Sequence, residues 1–464
     1  MSLAEWAKEH AGALKVIAQQ RDADGPMADR ALELVRSFIV KRSLILFGGL
    51  AIDYALRLSE SRGIYHDDER PDFDVLSPNS VDDAYDLADE LARAGFSDVG
   101  VVRGIHVQTM RVRTDYVWVA DIGYAPRGVF EALPTLDYRG MRVMHPDYQR
   151  MDMHLAFCFP FSGAPREDVF HRWKKDLKRF NLLDPVYPVT GSGATLAEPA
   201  LKTVTARLPV PIAAPSARGL GVALHGFAAC AVLQDELARR RAPESAPASQ
   251  HFRLLDAHSF EVEVPAACPG MAHFASPDPD SATRGLPDVV WTDPYMDVFP
   301  ETAISESAAA TVLSTRDRLL SVSTVRVGEL EALVVTPQYL LLFFLFEAHR
   351  APSEGLRRVY RDYYALTLKL LRDSEETFRD GSALAASLFG PSVQTLGKTN
   401  HNAAYLIKIA KIASDLGEGS ADLLAGLPRG YYPSQGKARP PAFDYAASPF
   451  FQRAGARRAG APPT

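Results

Sequence analysis

Ser43-Leu44-Ile45-Leu46-Phe47-Gly48-Gly49-Leu50-Ala51-Ile52-Asp53-Tyr54-Ala55-Leu56-Arg57-Leu58 decides the fold of the first half of the chain. Ser43 to Phe47 is an apolar run of the length of a buried strand, the two glycines break it, and Ala51 to Leu58 reads as a helix starting directly after them. Strand, glycine turn and helix in succession predict a mixed α/β unit. Downstream, Pro71-Asp72-Phe73-Asp74-Val75 opens a second strand, Phe73 to Leu76. Side chains alternate along a strand, so Asp72 and Asp74 project to one side while Phe73 points into a core.

Two carboxylates forced together repel, and beside Phe73, Val75 and Leu76 they lie on a largely buried strand, where unpaired charge is costly. A divalent cation between them relieves that cost, and Mg²⁺ is the usual choice beside phosphates. A third acid, Asp121, closes Tyr116-Val117-Trp118-Val119-Ala120, in which Val117 and Val119 alternate with Trp118 and Ala120. A neighbouring strand would present it to the same site, and three acids on adjacent strands describe a two-metal centre. Gly48-Gly49 brings bare backbone amides to a helix N-terminus, where an anion such as a nucleoside triphosphate is favoured. The constellation points to nucleotidyl transfer.

A helix is expected over Arg166 to Leu183, carrying six basic residues, Arg166, Arg172, Lys174, Lys175, Lys178 and Arg179, against Glu167, Asp168 and Asp176. Lys174 and Lys178, and likewise Lys175 and Arg179, are four apart and share neighbouring stripes of one face, suited to a triphosphate or an RNA backbone. His66, in Tyr65-His66-Asp67-Asp68-Glu69, and the pair Glu261 and Glu263 are read as solvated residues of a loop and a half-exposed strand.

At 464 residues the chain is too long for one ordinary core. Its 47% hydrophobic and 23% charged residues are those of a globular protein, and a net charge of −6 excludes a surface basic all over but not a local basic stripe. Cys158, Cys230 and Cys268 are widely spaced, so neither a disulfide framework nor a zinc site is indicated. Met1 to Trp6 lacks the features of a signal peptide, and Leu330 to Phe346 contains Glu331, Pro337 and Gln338, so a soluble intracellular protein without a membrane span is expected.

Helices are also expected at Leu3 to Gln20, Ala28 to Lys41, Leu224 to Arg241, Thr336 to Leu345, Leu356 to Leu371 and Ala403 to Leu416, with a capping box of Ser80 and Asp83 opening another that Gly95 closes. The fold class is α+β, a mixed sheet flanked by helices followed by a second α/β domain. The first domain spans residues 1–184, a Pro/Ala/Gly-rich connection 185–221, the second domain 222–436 and a partly ordered tail 437–464.

Gly-Gly before a helix, then Asp-x-Asp, then a third Asp resembles the polymerase-β-type nucleotidyltransferase superfamily. Within it, the chain from about Arg30 to Phe451 is similar to the poly(A) polymerase catalytic subunits of nucleocytoplasmic large DNA viruses, the mimivirus and poxvirus group. The residues that carry this are Phe47-Gly48-Gly49-Leu50-Ala51-Ile52, Arg172 to Arg179, Thr336-Pro337-Gln338-Tyr339-Leu340-Leu341, Tyr431-Tyr432-Pro433 and Phe443-Asp444-Tyr445. The resemblance implies a second domain that is a degenerate copy of the first, and template-independent addition of AMP from ATP to RNA 3′ ends. It further implies two Mg²⁺ or Mn²⁺ ions on Asp72, Asp74 and Asp121, with Gly48, Gly49, Lys174, Lys175 and Lys178 on the phosphates. Its partners would be ATP and an RNA 3′ end, with a homodimer or a processivity partner, in host cytoplasm or virion. Two rivals stay open, another nucleotidyltransferase making a second messenger or a short tail, and a non-catalytic RNA-binding subunit.

Overall fold

The computed structural model describes residues 25–67, 69–104, 108–115, 117–158, 175–176, 178–189, 202–209, 223–241, 251–256, 259–266, 272–276, 289–292, 310–314, 322–327, 330–335, 337–351, 353–377, 426–448 and 451, with Trp6 and His10. The expected helix Ala403 to Leu416 lies outside these residues, as does Leu3 to Gln20 apart from Trp6 and His10, where the His10 amide donates to the Trp6 carbonyl at 3.0 Å. The first part runs α1 (Gly25–Arg42), β1 (Ile45–Leu46), α2 (Gly48–Leu58), β2 (Phe73–Ser77), α3 (Ser80–Arg93), β3 (Gly100–Arg103), β4 (Thr109–Thr114), β5 (Val117–Tyr124), α4 (Arg127–Ala132), β6 (Thr135–Tyr138), β7 (Met141–Met144) and α5 (Pro146–Cys158).

Seven of these strands form one mixed sheet in the spatial order β3-β4-β5-β2-β1-β7-β6. One face is packed against α1 and α3, where Val35, Phe38, Leu87 and Leu91 meet Phe73, Val75, Val112 and Ile122. Burying each such side chain contributes roughly 1.5–3 kcal/mol. The alternating pattern of β2 therefore works as expected, with Phe73 and Val75 in the core and Asp74 on the other face. The capping box at α3 does not form: Ser80 is the first helical residue, and Asp83 instead accepts from the Ser77 hydroxyl, while the Val81 amide donates to Tyr445 Oη at 2.9 Å.

That tyrosine belongs to the segment expected to trail as a tail. Tyr431 pairs antiparallel with Val101 on the edge strand β3, Arg439 reaches Asp86 and Asp89 of α3 at 2.6 and 2.8 Å, and Phe443, Tyr445 and Phe451 pack edge to face on one another against the first core. Residues 437–448 and Phe451 thus pack on the first sheet. Pairing with Tyr431 and cover by this segment also blunt an exposed sheet edge.

The second part runs β8 (Thr203–Pro209), β9 (Ala223–His225), α6 (Gly226–Arg241), β10 (Phe252–Asp256), β11 (Ser259–Pro265), β12 (Ala272–Ser276), β13 (Val289–Thr292), β14 (Ala310–Ser314), β15 (Val322–Val327), β16 (Leu330–Val335), α7 (Pro337–Arg350) and α8 (Glu354–Thr377). β8, from the stretch read as connection, pairs with β11 in a three-stranded sheet, and the other strands form a six-stranded sheet ordered β13-β14-β12-β9-β16-β15. From β14 to β15 this repeats the first sheet from β5 to β6, whereas β13 runs parallel to β14 where β4 is antiparallel to β5. β9 is antiparallel to β12 and parallel to β16, as β1 is to β2 and β7. β14 is parallel to β12 as β5 is to β2. The helix after each central strand starts on a glycine in the left-handed region, Gly48 at φ 71° and Gly226 at φ 57°. Registered this way, His273 and Thr311 stand where the first sheet has Asp74 and Asp121, which makes the second sheet a copy without the acids. Phe227, Phe344, Tyr360 and Tyr363 pack between α6, α7 and α8, and α5 joins that core through Met151.

Phe451 is 4% exposed, so Phe451→Ala should cost about 3 kcal/mol by the usual scale for emptying a buried aromatic site. The midpoint of urea unfolding checks this, and an unchanged midpoint is what a freely trailing segment would give.

Candidate active site

The site is built at the end of β1 and the start of β2. Phe47 is extended, at φ −136°, and Gly48 then takes a positive φ that only glycine adopts without strain. A side chain on Gly48 would also meet Asp74 Oδ2 at 2.5 Å, so the turn lies directly on the Asp74 carboxylate. The helix starts on Gly48 itself, three residues earlier than the apolar pattern suggests, because both glycines contribute to its first turn.

β2 and β5 are parallel and in register, pairing Asp74 with Asp121, and neighbouring strands lie ~4.8 Å apart. Asp72 precedes Asp74 by one alternation and so shares its face. The sheet therefore brings the three expected acids together. Burial first, then the charges of Asp72 and Asp121, push the Asp74 carboxyl up to about 7. Asp72 is also raised, by lost hydration and then by Asp121, although it stays open to solvent, which weakens the effect. Among the described residues neither Asp72 nor Asp74 has an ion-pair partner within 4 Å. Two converging carboxylates without a counter-ion fit a divalent cation held by their oxygens. Asp121 is turned away from that role at present, because Arg111, its cross-strand partner on β4, grips both of its oxygens, with Nε to Oδ1 at 2.6 Å. Accordingly no group of three potential metal ligands closes up among the described residues.

Over the helix N-terminus lies Arg179. A methyl on Gly49 would collide with Arg179 Nη2 and Tyr65 Oη, which are themselves 3.3 Å apart. Two glycines, the first amides of α2 and a guanidinium thus meet at one point, an arrangement suited to a polyanion. Tyr65 is set there by a buried network. Asp53, 2% exposed, pairs with Arg57 at 2.7 Å and accepts from the Tyr65 amide at 2.9 Å, and Arg57 donates to the Tyr65 carbonyl at 2.8 Å. Gly63 passes so close to Asp53 that no side chain fits.

Of the basic residues proposed for phosphate, Lys175 is exposed yet near enough that its charge lowers the proton affinity of Asp72 and Asp74. Lys178 is exposed, and among the described residues no contact ties it to the acids. Lys174 lies outside the described residues. Arg179, which the sequence placed on the basic helix but not among the residues assigned to phosphate, lies at the site, and so do Tyr65 and Arg111, which the sequence did not single out. The four-residue spacing of Lys175 and Arg179 was a signal for the first, whereas Tyr65 and Arg111 depend on a loop closure and a strand register. Glu261 and Glu263 are surface partners of Arg253 and His251, in keeping with a half-exposed strand. No helix among the described residues is long and apolar enough to cross a membrane.

A mixed sheet with paired acids beside a glycine turn defines a nucleotidyltransferase fold. The crystal structure of the Megavirus polyadenylate synthase superposes with a TM-score of 0.62 at 14% identity, covering 95% of this chain and 86% of that one. A family model described as poly(A) polymerase catalytic subunit matches residues 33–163. A protein of African swine fever virus (isolate Tick/Malawi/Lil 20-1/1983), named as a poly(A) polymerase catalytic subunit, is 38% identical over 468 aligned positions, covering 93% of this chain and 94% of its own. A protein of the same name from Acanthamoeba polyphaga mimivirus is 26% identical over 159 positions, 34% of this chain and 26% of its own. The chain belongs to the poly(A) polymerase catalytic subunit family of large DNA viruses, whose members are polynucleotide adenylyltransferases.

A carboxyl raised in the folded state favours folding below its unfolded pKa and loses that benefit as pH rises through the folded value. In EDTA, Asp74→Asn should therefore be more stable than the parent at pH 8, by a few kcal/mol at ~1.4 kcal/mol per pKa unit. The advantage should fade as pH falls from 7 toward 4. Thermal midpoints across that range test this, and a parent as stable as the variant at pH 8 would refute the burial of the charge.

Proposed function

We propose that this protein extends RNA 3′ ends with AMP taken from ATP, without a template. The observation that supports this most is the register of Asp74 with Asp121, with Asp72 on the same face and the Gly48-Gly49 turn capped by Arg179 alongside. These are the parts nucleotidyl transfer needs: acids at the reacting phosphorus and amide and guanidinium donors for the triphosphate.

In this reading the first amides of α2 and Arg179 bind and orient the β- and γ-phosphates, and Lys175 adds positive charge as pyrophosphate departs. Tyr65, braced by Asp53 and Arg57, keeps Arg179 aimed over Gly49. Asp72, Asp74 and Asp121 are the residues that would hold Mg²⁺ or Mn²⁺, two ions in all. When bound, such ions neutralise charge on the attacking and leaving oxygens of an in-line displacement. The acceptor 3′ oxygen forms a bond to the α-phosphorus, the α–β bridging bond breaks, and the hydroxyl proton is lost toward the Asp121 side. For the Asp121 carboxylate to serve there it shares an oxygen with, or is released by, Arg111. The relatives' description as a catalytic subunit supports a further subunit for this protein as well, in addition to ATP and RNA.

The test supplies an RNA primer and each of the four nucleoside triphosphates to the purified protein. ATP should give primer-dependent extension, and Asp74→Asn and Asp121→Ala should lower its rate at least ~1,000-fold, corresponding to several kcal/mol of lost transition-state stabilisation. Extension by Asp121→Ala at the parent rate, or product made equally well without primer, would overturn this reading.

A further inference from the structure

Strand alternation alone sends Trp118 to the face opposite Asp121, since the two are an odd number of positions apart. The structure does otherwise. Between β4 and β5 the register shifts: Arg111 pairs with Asp121 and Val112 with Ala120, but Arg113 pairs with Trp118, leaving Val119 as an extra residue. Both Val119 and Ala120 are buried in consequence, and Trp118 is turned to the side of Arg111, Arg113 and Asp121. Cross-strand partners share a face, so the bulge re-aims an indole onto the face of the catalytic acids. There Trp118 is 43% exposed, with the Arg111 guanidinium 5.1 Å from its ring centre.

The same face continues outward. Gly100 on β3 pairs with Arg113, and in place of a side chain it carries the ring of Tyr432, which a methyl at Gly100 would meet at 2.8 Å. Tyr431 and Tyr432 alternate like residues of an added strand: Tyr431 enters the core beside Tyr85, while Tyr432 lies on the outer face with Lys437 Nζ 5.1 Å above it. Arg113 lies between the two aromatics, held by Asp98 at 3.4 Å, and its Nε has no hydrogen-bond partner. Reading from the acids, the face presents Asp121, Arg111 under Trp118, Arg113, then Tyr432 under Lys437.

Alternating aromatic rings and cations on an open face are how proteins hold single-stranded nucleic acid without reading its sequence. The direction of the track identifies which nucleic acid. In the sheet order, the glycine turn and Arg179 lie on the β1 side of Asp74, whereas Trp118 lies on the β5 side, so a triphosphate and this track approach the acids from opposite flanks. We infer that the Trp118 and Tyr432 face is the track for the 3′ end of a single-stranded RNA acceptor, with one base stacked on Trp118 as its terminal hydroxyl reaches Asp121.

The inference rests on the RNA-tailing reading above, and its test separates the two. Binding of a fluorescein-labelled single-stranded RNA is measured by anisotropy in EDTA without ATP, for the parent, Trp118→Phe, Trp118→Ala and Tyr432→Ala, alongside ATP binding without RNA. Trp118→Ala should bind RNA about 5- to 100-fold more weakly and Trp118→Phe within a few-fold of the parent, with ATP affinity unchanged in both. RNA should also quench the tryptophan emission of the parent more than that of Trp118→Phe, a readout that survives if the alanine variant fails to fold. A parent that tails RNA while Trp118→Ala binds RNA normally, or while Trp118→Phe is quenched as strongly as the parent, overturns the track and leaves the function standing. Equal loss of ATP binding would move the indole to the nucleotide base and likewise overturn it. A parent that binds this RNA but extends no primer would count against the function alone.

Discussion

Repulsion among Asp72, Asp74 and Asp121 is the constraint on which the rest of the site depends. A parallel pair of strands in register puts Asp74 against Asp121, and burial removes the water that would otherwise screen them. Such an arrangement costs stability in the isolated chain and is tolerated where positive charge arrives with function. Arg111 meets part of that need on one flank by gripping Asp121, and Lys175 and Arg179 act on Asp74 from the other. The acids thus sit between two cationic groups, one toward the proposed acceptor and one toward the proposed triphosphate.

The glycines matter for what they admit as much as for how they turn. Gly48 allows Asp74 to lie against the backbone, Gly49 leaves room for Arg179 and Tyr65, and Gly63 leaves room for Asp53. Close approach at Gly49 and Gly63 locks the loop after α2 to the helix that starts the site, and close approach at Gly48 sets β2 against that helix. The second sheet retains the strand order and a positive-φ glycine at Gly226 but has His273 and Thr311 at the acid positions. That contrast indicates that the turn and the sheet are a structural frame which folds with or without the acids, and it is on the acids that the proposed chemistry rests.

Much of this was legible in the residues themselves. The apolar run before Gly48 and the alternation through Phe73 and Val75 follow from local periodicity, and periodicity placed Asp74 on the correct face. The acids' convergence also required Asp121 to lie on a strand next to Asp74, an expectation that periodicity does not encode and that the pairing of β2 with β5 meets. What stayed hidden depended on long-range pairing. The bulge that re-aims Trp118 exists only because β4 and β5 pair with a shifted register. Ser80 and Asp83 look like a capping box in the sequence, but the Asp83 carboxylate accepts from Ser77, the Asp83 amide donates to the Asn79 carbonyl, and the Val81 amide donates to Tyr445, 364 positions away. The Ala-, Arg- and Pro-rich composition after Lys437 suggested a tail, yet Tyr445 and Phe451 bury aromatic surface that a composition count does not reveal.

Calorimetric titration of Mn²⁺ into the metal-free protein at pH 8 addresses the central claim most directly, since it asks whether the three carboxylates are a cation site at all. The account predicts saturable binding that is lost in Asp74→Asn and weakened in Asp121→Asn, with Arg111→Ala binding at least as well as the parent once Asp121 is released. Binding undiminished in Asp74→Asn would contradict it.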